Sequence, residues 1–151
     1  MSRIRIVVAD QAEAIFYDLS SLKARPTEVA RMSDPAAHLH DRDFSSDRPG
    51  RSYESVGGAR HAIARENEPR RREAVKFAKE IAGRLDQDRR KKEYEQLIVV
   101  AAAPFRSLMR TEFSTDTTAC IVHEVPKDLV HSPVEVLREH LPTTAQELKS
   151  A

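Results

Sequence analysis

The chain has 151 residues, of which 40% are hydrophobic, 32% charged and 5% aromatic, and its formal net charge at pH 7 is +1. A chain of this length forms one domain that buries enough surface to fold without disulfides or bound metals. The single cysteine excludes an intramolecular disulfide, no apolar run has the length of a membrane span, and no signal-peptide pattern follows Met1. We therefore expect a cytoplasmic protein without a membrane partner.

The first part of the sequence predicts three strands joined by short connections. Residues 3–9 alternate between polar and apolar and end in an apolar run, and residues 14–19 are rich in residues that favour strands. These two strands are expected to form a hairpin, with Asp10 as a turn residue between them. Residues 27–32 form a weaker third strand, which we place at an edge of the sheet.

Residues 33–66 predict a long loop within the domain, because proline, glycine, aspartate and serine are frequent there. A loop of this length is either functional or disordered. Residues 38–43 contain two histidines and two aspartates, which are metal-ligand types. No second cluster completes a tetrahedral set, and Arg42 would oppose a cation, so no metal ligand is assigned.

A helix is predicted to begin at Pro69, capped by Asn67 or Glu68. Its buried face is predicted from apolar residues at helical spacing, namely Val75, Ala78, Ile81, Ala82 and Leu85. Residues 97–103 are an unbroken apolar run, which predicts a strand in the interior of the sheet. Pro104 then opens a second helix that packs through Phe105, Leu108 and Met109.

The last part of the sequence predicts a fifth strand over residues 119–125 and a helix capped by Ser132, with Pro133 first and Glu135 completing a capping box. We therefore predict a single α/β domain over residues 1–142, followed by a C-terminal tail over residues 143–151. Its sheet is mixed and five-stranded. The order of three strands, helix, strand, helix, strand and helix is that of a ribonuclease-H-like fold.

No catalytic residue and no cofactor is predicted for this domain. A nuclease on such a sheet needs several carboxylates that converge on metal ions, whereas the strand over residues 97–103 ends in alanines. Cys120 and His123 are placed on the same side of the fifth strand. Without an orienting group or an oxyanion donor, they are interpreted as core residues.

The basic residues are concentrated in one segment. Residues 60–92 carry a net charge of +6, whereas the other 118 residues sum to −5. Such a helix face is a candidate for phosphate contacts with RNA, and a solvated surface is the alternative. Acidic residues dilute the field, and Tyr94 is the only aromatic residue near the basic exit of the segment for base stacking. The candidate RNA-binding residues are Gly57, Gly58, Arg70, Arg71, Arg72, Lys76, Lys79, Arg89, Arg90, Lys91 and Lys92.

Several segments together resemble the bacterial family of proteins required for attachment to host cells. The segments that carry the resemblance are residues 41–43, 46–51, 76–81, 84–85 and 97–104, together with Lys127, Asp128, Leu129, His131, Pro133 and residues 137–139. The resemblance implies a domain related to the central domain of class-one eukaryotic and archaeal peptide-chain release factors and of Pelota, which is itself ribonuclease-H-like.

Release factors carry their chemistry on a Gly-Gly-Gln loop before a basic helix, and Gly57-Gly58-Ala59 stands at the comparable place here. The resemblance therefore implies no peptide-release activity, because alanine replaces the glutamine. We predict a non-enzymatic binding protein with an unidentified protein partner, acting indirectly in host attachment or colonisation. The alternative is a translation-associated factor that binds ribosomal or transfer RNA through the basic helix.

Overall fold

The computed structural model describes the backbone of residues 3–36 and 56–148 and the side chains of residues 3–36 and 68–148. Five strands form one mixed sheet: β1 (Ile4–Ala9), β2 (Glu13–Leu19), β3 (Thr27–Ser33), β4 (Gln96–Val100) and β5 (Ile121–Val125). Their order across the sheet is β3-β2-β1-β4-β5. β1, β2 and β3 pair antiparallel, whereas β4 is parallel to both β1 and β5. The predicted mixed α/β fold is confirmed.

The predicted positions of the strands agree with this order. β1 and β2 form the expected hairpin, and β3 lies at an edge. β4 lies between β1 and β5, so residues 97–100 occupy the interior of the sheet as predicted. Residues 101–103 differ from the prediction, because they follow the strand. The middle of the sheet is β1.

The helices that connect and cover the strands are α1 (Val56–Arg90), α2 (Phe105–Glu112), α3 (Thr115–Ala119) and α4 (Val134–His140), followed by a 3-10 helix (Ala145–Glu147). The sequence did not predict α3. Its cap is Ser114, whose Oγ accepts a hydrogen bond from the Thr117 N–H at 3.1 Å. The predicted order of elements therefore lacked one short helix, and the ribonuclease-H-like assignment stays a prediction.

The start of α1 corrects two predictions. The helix begins at Val56 rather than at Pro69, so residues 56–66 of the predicted 33–66 loop are helical. Proline removes one backbone hydrogen bond within a helix but does not prevent a preceding helical segment. Residues 59–66 include three alanines, two arginines and a glutamate, all with high helix propensity. Residues 37–55, including the histidine-containing 38–43 segment, lie outside the described residues.

The capping box predicted for α4 is also wrong. Pro133 is the N-cap residue in an extended conformation, and no side chain caps the helix there. Because the cap lies one residue later than predicted, Ser132 stands before the helix. In the predicted tail, residues 145–147 form the 3-10 helix and Leu148 packs against the core. Residues 149–151 are outside the described part.

The sheet is covered on both faces, which gives three layers. Alternate residues such as Val7 and Val99 pack with Phe77, Ile81 and Met109 beneath α1 and α2. The intervening strand residues point to the other face and pack against α4 and its flanking loops, where Leu137 and Leu141 are buried. This alternation explains the continuous apolar runs in β1 and β4, since both of their faces are buried.

Two β-bulges interrupt the alternation. Phe16 faces Ala30 and Tyr17 faces Glu28, so Val29 is an extra residue in the edge strand β3. Val29 is 44% exposed, and the bulge brings Glu28 and Arg31 into an ion pair of 2.8 Å. A bulge and charged side chains are features that hinder an edge strand from pairing with another chain. In β5 the extra residue is Val122.

Arg5 is a buried charge near the start of the central strand β1, within the part of the strand where polar and apolar residues alternate. Its Nε donates to Asp18 Oδ1 at 2.5 Å and its Nη1 donates to Asp88 Oδ2 at 2.7 Å. Arg84 Nε donates to the same Asp88 oxygen at 2.9 Å, and the Arg5 guanidinium lies 5.6 Å from the Tyr94 ring centroid. The cluster joins β1, β2 and α1.

Gly83 provides a direct test of α1, because an added Cβ would meet nothing within 4 Å. A glycine inside a helix is less favourable than alanine by roughly 0.5–1 kcal/mol. We expect Gly83→Ala to raise the free energy of unfolding by about that amount in urea titrations with an unchanged m value. A loss of stability would mean that the backbone at Gly83 is not helical.

Candidate functional site

A concave surface lies where the parallel strands β1 and β4 end, at the carboxyl edge of the sheet. Two adjoining cavities, of about 510 Å³ and about 550 Å³, share Gln11, Ala74, Pro104 and Leu108 in their walls. We call the two cavities together the strand-end cleft. Ligands of open α/β sheets usually bind at this edge.

Four segments line the strand-end cleft: the β1–β2 turn, α1, the start of α2 and the loop after β5. The first cavity is lined by Ala9, Asp10, Gln11, Ala12, Ala74, Ala102, Ala103, Pro104, Phe105, Leu108, Asp128 and His131. The second adds Arg70, Arg71, Ser107 and Thr111. Carboxylates and a histidine therefore stand at one end, and arginines and hydroxyls at the other.

Asp10 is confirmed as a turn residue. Its Oδ1 accepts hydrogen bonds from the N–H groups of Ala12 at 2.8 Å and Glu13 at 2.7 Å. The Ala12 carbonyl in turn accepts a bond of 2.7 Å from the Asp34 N–H at the end of β3. This turn is therefore a fixed wall of the cleft.

The α2 wall is held by contacts on two sides. The ring of Phe105 stacks on that of Phe77 in α1, with centroids 6.2 Å apart. On β5, Glu124 accepts a hydrogen bond of 2.7 Å from Arg110 Nη1 and lies 3.8 Å from Arg106 Nη1. The bulge at Val122 turns Glu124 toward α2, so the ion pairs depend on it. Ser107 and Thr111 lie one turn apart at the cleft.

The predicted RNA-binding residues do not form one surface. Arg70 and Arg71 line the strand-end cleft, whereas Lys91 and Lys92 lie past the other end of α1, roughly 30 Å away at 1.5 Å per residue. Lys76 and Lys79 are exposed along the helix, and Arg72 is exposed but pairs with Glu68 at 2.9 Å. Gly57 and Gly58 lie in the first turn of α1 rather than in a loop before it.

Arg89 and Arg90 are held by acidic neighbours. Asp86 accepts a hydrogen bond of 2.8 Å from Arg89 and lies 3.0 Å from Arg90 Nη2. Hydrogen bonds from Arg89 and Ser114 hold the pKa of Asp86 below its usual value. These pairings weaken the case for phosphate binding at this end, and RNA binding through α1 stays a prediction.

Tyr94 was the one aromatic residue considered for base stacking near the basic segment, and the structure removes it from that role. It is 2% exposed, and its hydroxyl donates to the Leu85 carbonyl at 2.7 Å. Burial raises the pKa of Tyr94 to about 12. The ring is part of the core beneath α1.

Cys120 and His123 do not share a face of β5, in contrast to the prediction. Cys120 precedes the strand, packs on the α1 face and donates its thiol to the Asp116 carbonyl at 3.4 Å. His123 lies opposite Ile98, whose side chain faces α4. Burial raises the pKa of Cys120, which disfavours a reactive thiolate.

Two features are absent from the described residues. No group of three or more His, Cys, Asp or Glu side chains within them is arranged to hold a metal ion. No helix in the same residues combines the length and the apolar character needed to cross a membrane.

Sequence reasoning missed most of the polar residues of the cleft. Gln11, Ser107 and Thr111 are ordinary surface types in short polar segments, so the sequence carried no signal for them. Asp128 and His131 entered only through the family resemblance.

Comparison with known proteins adds three findings. A family model described as "Protein required for attachment to host cells" matches residues 5–141. No curated protein matches the chain. A solved structure described as "Archaeal protein" is similar with a TM-score of 0.46 and 12% sequence identity, over 96% of this chain and 36% of that chain. The present chain thus spans little more than a third of the length of that structure.

Proposed function

The chain belongs to the family of proteins required for attachment to host cells, and from this membership we propose that it serves attachment by binding a ligand rather than by catalysis. The observation that carries the proposal is the strand-end cleft, with its apolar floor and its polar ends. Clefts of this size and composition are typical binding sites for small molecules.

Three features support binding over catalysis. β4 is followed by Ala101, Ala102 and Ala103, which carry no functional group at the place where α/β enzymes commonly position one. The carboxylate of Asp10 accepts two hydrogen bonds from its own turn. The thiol of Cys120, on the α1 face, has a raised pKa.

The proposal places the protein in the cytoplasm and makes its role in attachment indirect, through a partner protein. Cys120 is a free thiol, as is usual in a reducing compartment. A regulator that binds a ligand and then a partner protein would produce an attachment phenotype without contacting the host.

Blocking the cleft is the direct test. We expect Ser107→Trp to fill the second cavity and to leave the fold intact, because Ser107 is exposed on α2. In a deletion strain of the source organism, this variant should restore host-cell attachment no better than an empty vector. The measurement is the number of adherent cells at equal protein level.

Gln87→Trp is the matched control, because Gln87 is exposed on α1 and does not line the cleft. It should restore attachment as the wild type does. Full attachment with Ser107→Trp would contradict the proposed role of the cleft.

A further inference from the structure

The strand-end cleft has ends of opposite character, which restricts the ligand it can hold. Arg71 lies at one end, and Asp128 and His131 lie at the other. A ligand that matches both ends carries an anionic group on one side and hydrogen-bond donors on the other. This inference rests on the proposed function, in which the cleft is the binding site.

The arginine end suits a phosphate group. Arg71 is exposed at the cleft, and no ion pair within residues 3–36 and 68–148 occupies it, in contrast to Arg72, which pairs with Glu68. Ser107 adds a hydroxyl group on the facing helix, whereas the Thr111 hydroxyl donates its proton to the Ser107 carbonyl at 3.0 Å. A guanidinium with a neighbouring hydroxyl is a common arrangement for holding phosphate oxygens.

The middle of the cleft is apolar. Ala74, Pro104 and Leu108 belong to both cavities, so a ligand that extends from one end to the other lies against them. The small side chains of Ala12 and Ala102 widen the floor beside them. A flat ring packs on such a surface, whereas the polyhydroxylated chain of a sugar phosphate would leave hydroxyl groups without partners there.

The acidic end accepts hydrogen bonds. Asp128 is exposed, and within the described residues its Oδ1 has a single long contact, of 3.4 Å, with the Val130 N–H. A carboxylate beside a histidine binds ribose hydroxyls or an exocyclic amino group by ordinary hydrogen bonding. The fixed turn at Asp10 closes this end.

We propose that the strand-end cleft binds a nucleoside phosphate, with the phosphate at Arg71 and the hydrogen-bond donors of the ribose or base at Asp128 and His131. The two cavities have room for a molecule of this size.

Calorimetric titration with adenosine, guanosine, cytidine and uridine 5′-monophosphates tests the proposal. At least one should bind to the wild type, and Arg71→Ala should weaken it about tenfold to a hundredfold, as expected for loss of a charge-assisted hydrogen bond. Arg72→Ala, one residue along on the exposed face, should bind as the wild type does. Asp128→Asn should weaken the binding of the nucleotide but not the binding of inorganic phosphate.

Several outcomes would overturn the inference. One is that none of the four nucleotides binds. Another is that Arg71→Ala and Arg72→Ala lose the same amount of affinity. A third is that Arg71→Ala binds the nucleotide as tightly as the wild type. Tight binding of an RNA oligonucleotide that depends on Arg72 and Lys79 would favour the basic helix instead. Thermal melting of each variant verifies that it is folded.

The attachment assay separates this inference from the proposed function. If Ser107→Trp abolishes attachment but no nucleotide binds, the cleft is functional and its ligand belongs to another class. If a nucleotide binds as described and cells that carry Ser107→Trp attach normally, the cleft binds nucleotides without serving attachment.

Discussion

Replacing Asp88 by alanine is expected to lower the free energy of unfolding by about 3 kcal/mol, near the lower end of the range for breaking a buried ion pair. The side chains of Arg5 and Asp88 are only 3% and 4% exposed, so the substitution leaves a buried guanidinium without one of its anions. The loss stays near the lower end because Asp18 still pairs with Arg5. Chemical denaturation monitored by circular dichroism measures it.

Two further variants show whether the loss of stability comes from the unpaired buried charge of Arg5. Glu80→Ala, at an exposed position on the same helix, should change stability by no more than about 0.5 kcal/mol. Arg5→Met combined with Asp88→Leu removes both charges and should be more stable than Asp88→Ala alone. A double variant less stable than the single one would mean that Arg5 is not buried as described.

The same aspartate predicts a dependence on pH. Burial alone would raise the pKa of Asp88, but hydrogen bonds from Arg5 and Arg84 outweigh burial, and the pKa lies below the usual 3.8. A group whose pKa is lower in the folded state adds stability above its unfolded pKa, and this stability is lost as pH falls through the folded pKa.

We therefore expect the wild type to lose stability below pH 3.8 more steeply than Asp88→Ala does. The variant should keep part of the slope, because the pKa values of Asp86, Glu28 and Glu135 are also lowered by arginine partners. Equal slopes for the two proteins would contradict the role assigned to Asp88.

The strands could be predicted because their signals are local. The apolar runs in β1 and β4 reflect burial on both faces, and the weak composition of β3 reflects its edge position. The bulges at Val29 and Val122 left no comparable signal. They change which side chains face each helix, as at Glu124. The placement of Cys120 and His123 on one side failed for another reason, since residues three apart in a strand face opposite sides and Cys120 precedes the strand.

The helix termini were harder to predict because several residues compete as caps. Pro69 and Pro133 both fit the first position of a helix, yet α1 begins before the former and α4 begins after the latter. Arg5 shows a related failure, since a charged residue near the start of a strand normally faces water. Its burial depends on Asp88, which lies 83 residues away.

The candidate site was predicted least well, because it is assembled from four segments that are far apart in sequence. The density of positive charge predicted binding residues along the whole basic helix, but of these only Arg70 and Arg71 line the strand-end cleft. The residues on α2 and after β5 that face these arginines are placed there by the tertiary fold. The pairing of β1 with β4 brings them together.

Phe77→Ala is expected to lower the free energy of unfolding by about 3–5 kcal/mol, a large part of the total stability of a small domain. Phe77 is fully buried among Val7, Ile81 and Met109, and its ring stacks on Phe105 at an interplanar angle of 28°. Phe77 was not among the residues predicted for the buried face of α1. Urea titration measures the loss, and Phe77→Leu should lose less because it leaves a smaller cavity.

The same substitution should also affect the strand-end cleft, because Phe105 forms part of its wall. At a temperature where Phe77→Ala is still folded, we expect weaker binding of any ligand that occupies the cleft, since α2 has lost its aromatic stacking contact with α1. Lys76→Ala, the exposed neighbour, should change neither stability nor binding. If Phe77→Ala lost stability and yet bound with full affinity, the position of α2 would depend on its ion pairs with Glu124 rather than on the aromatic stack.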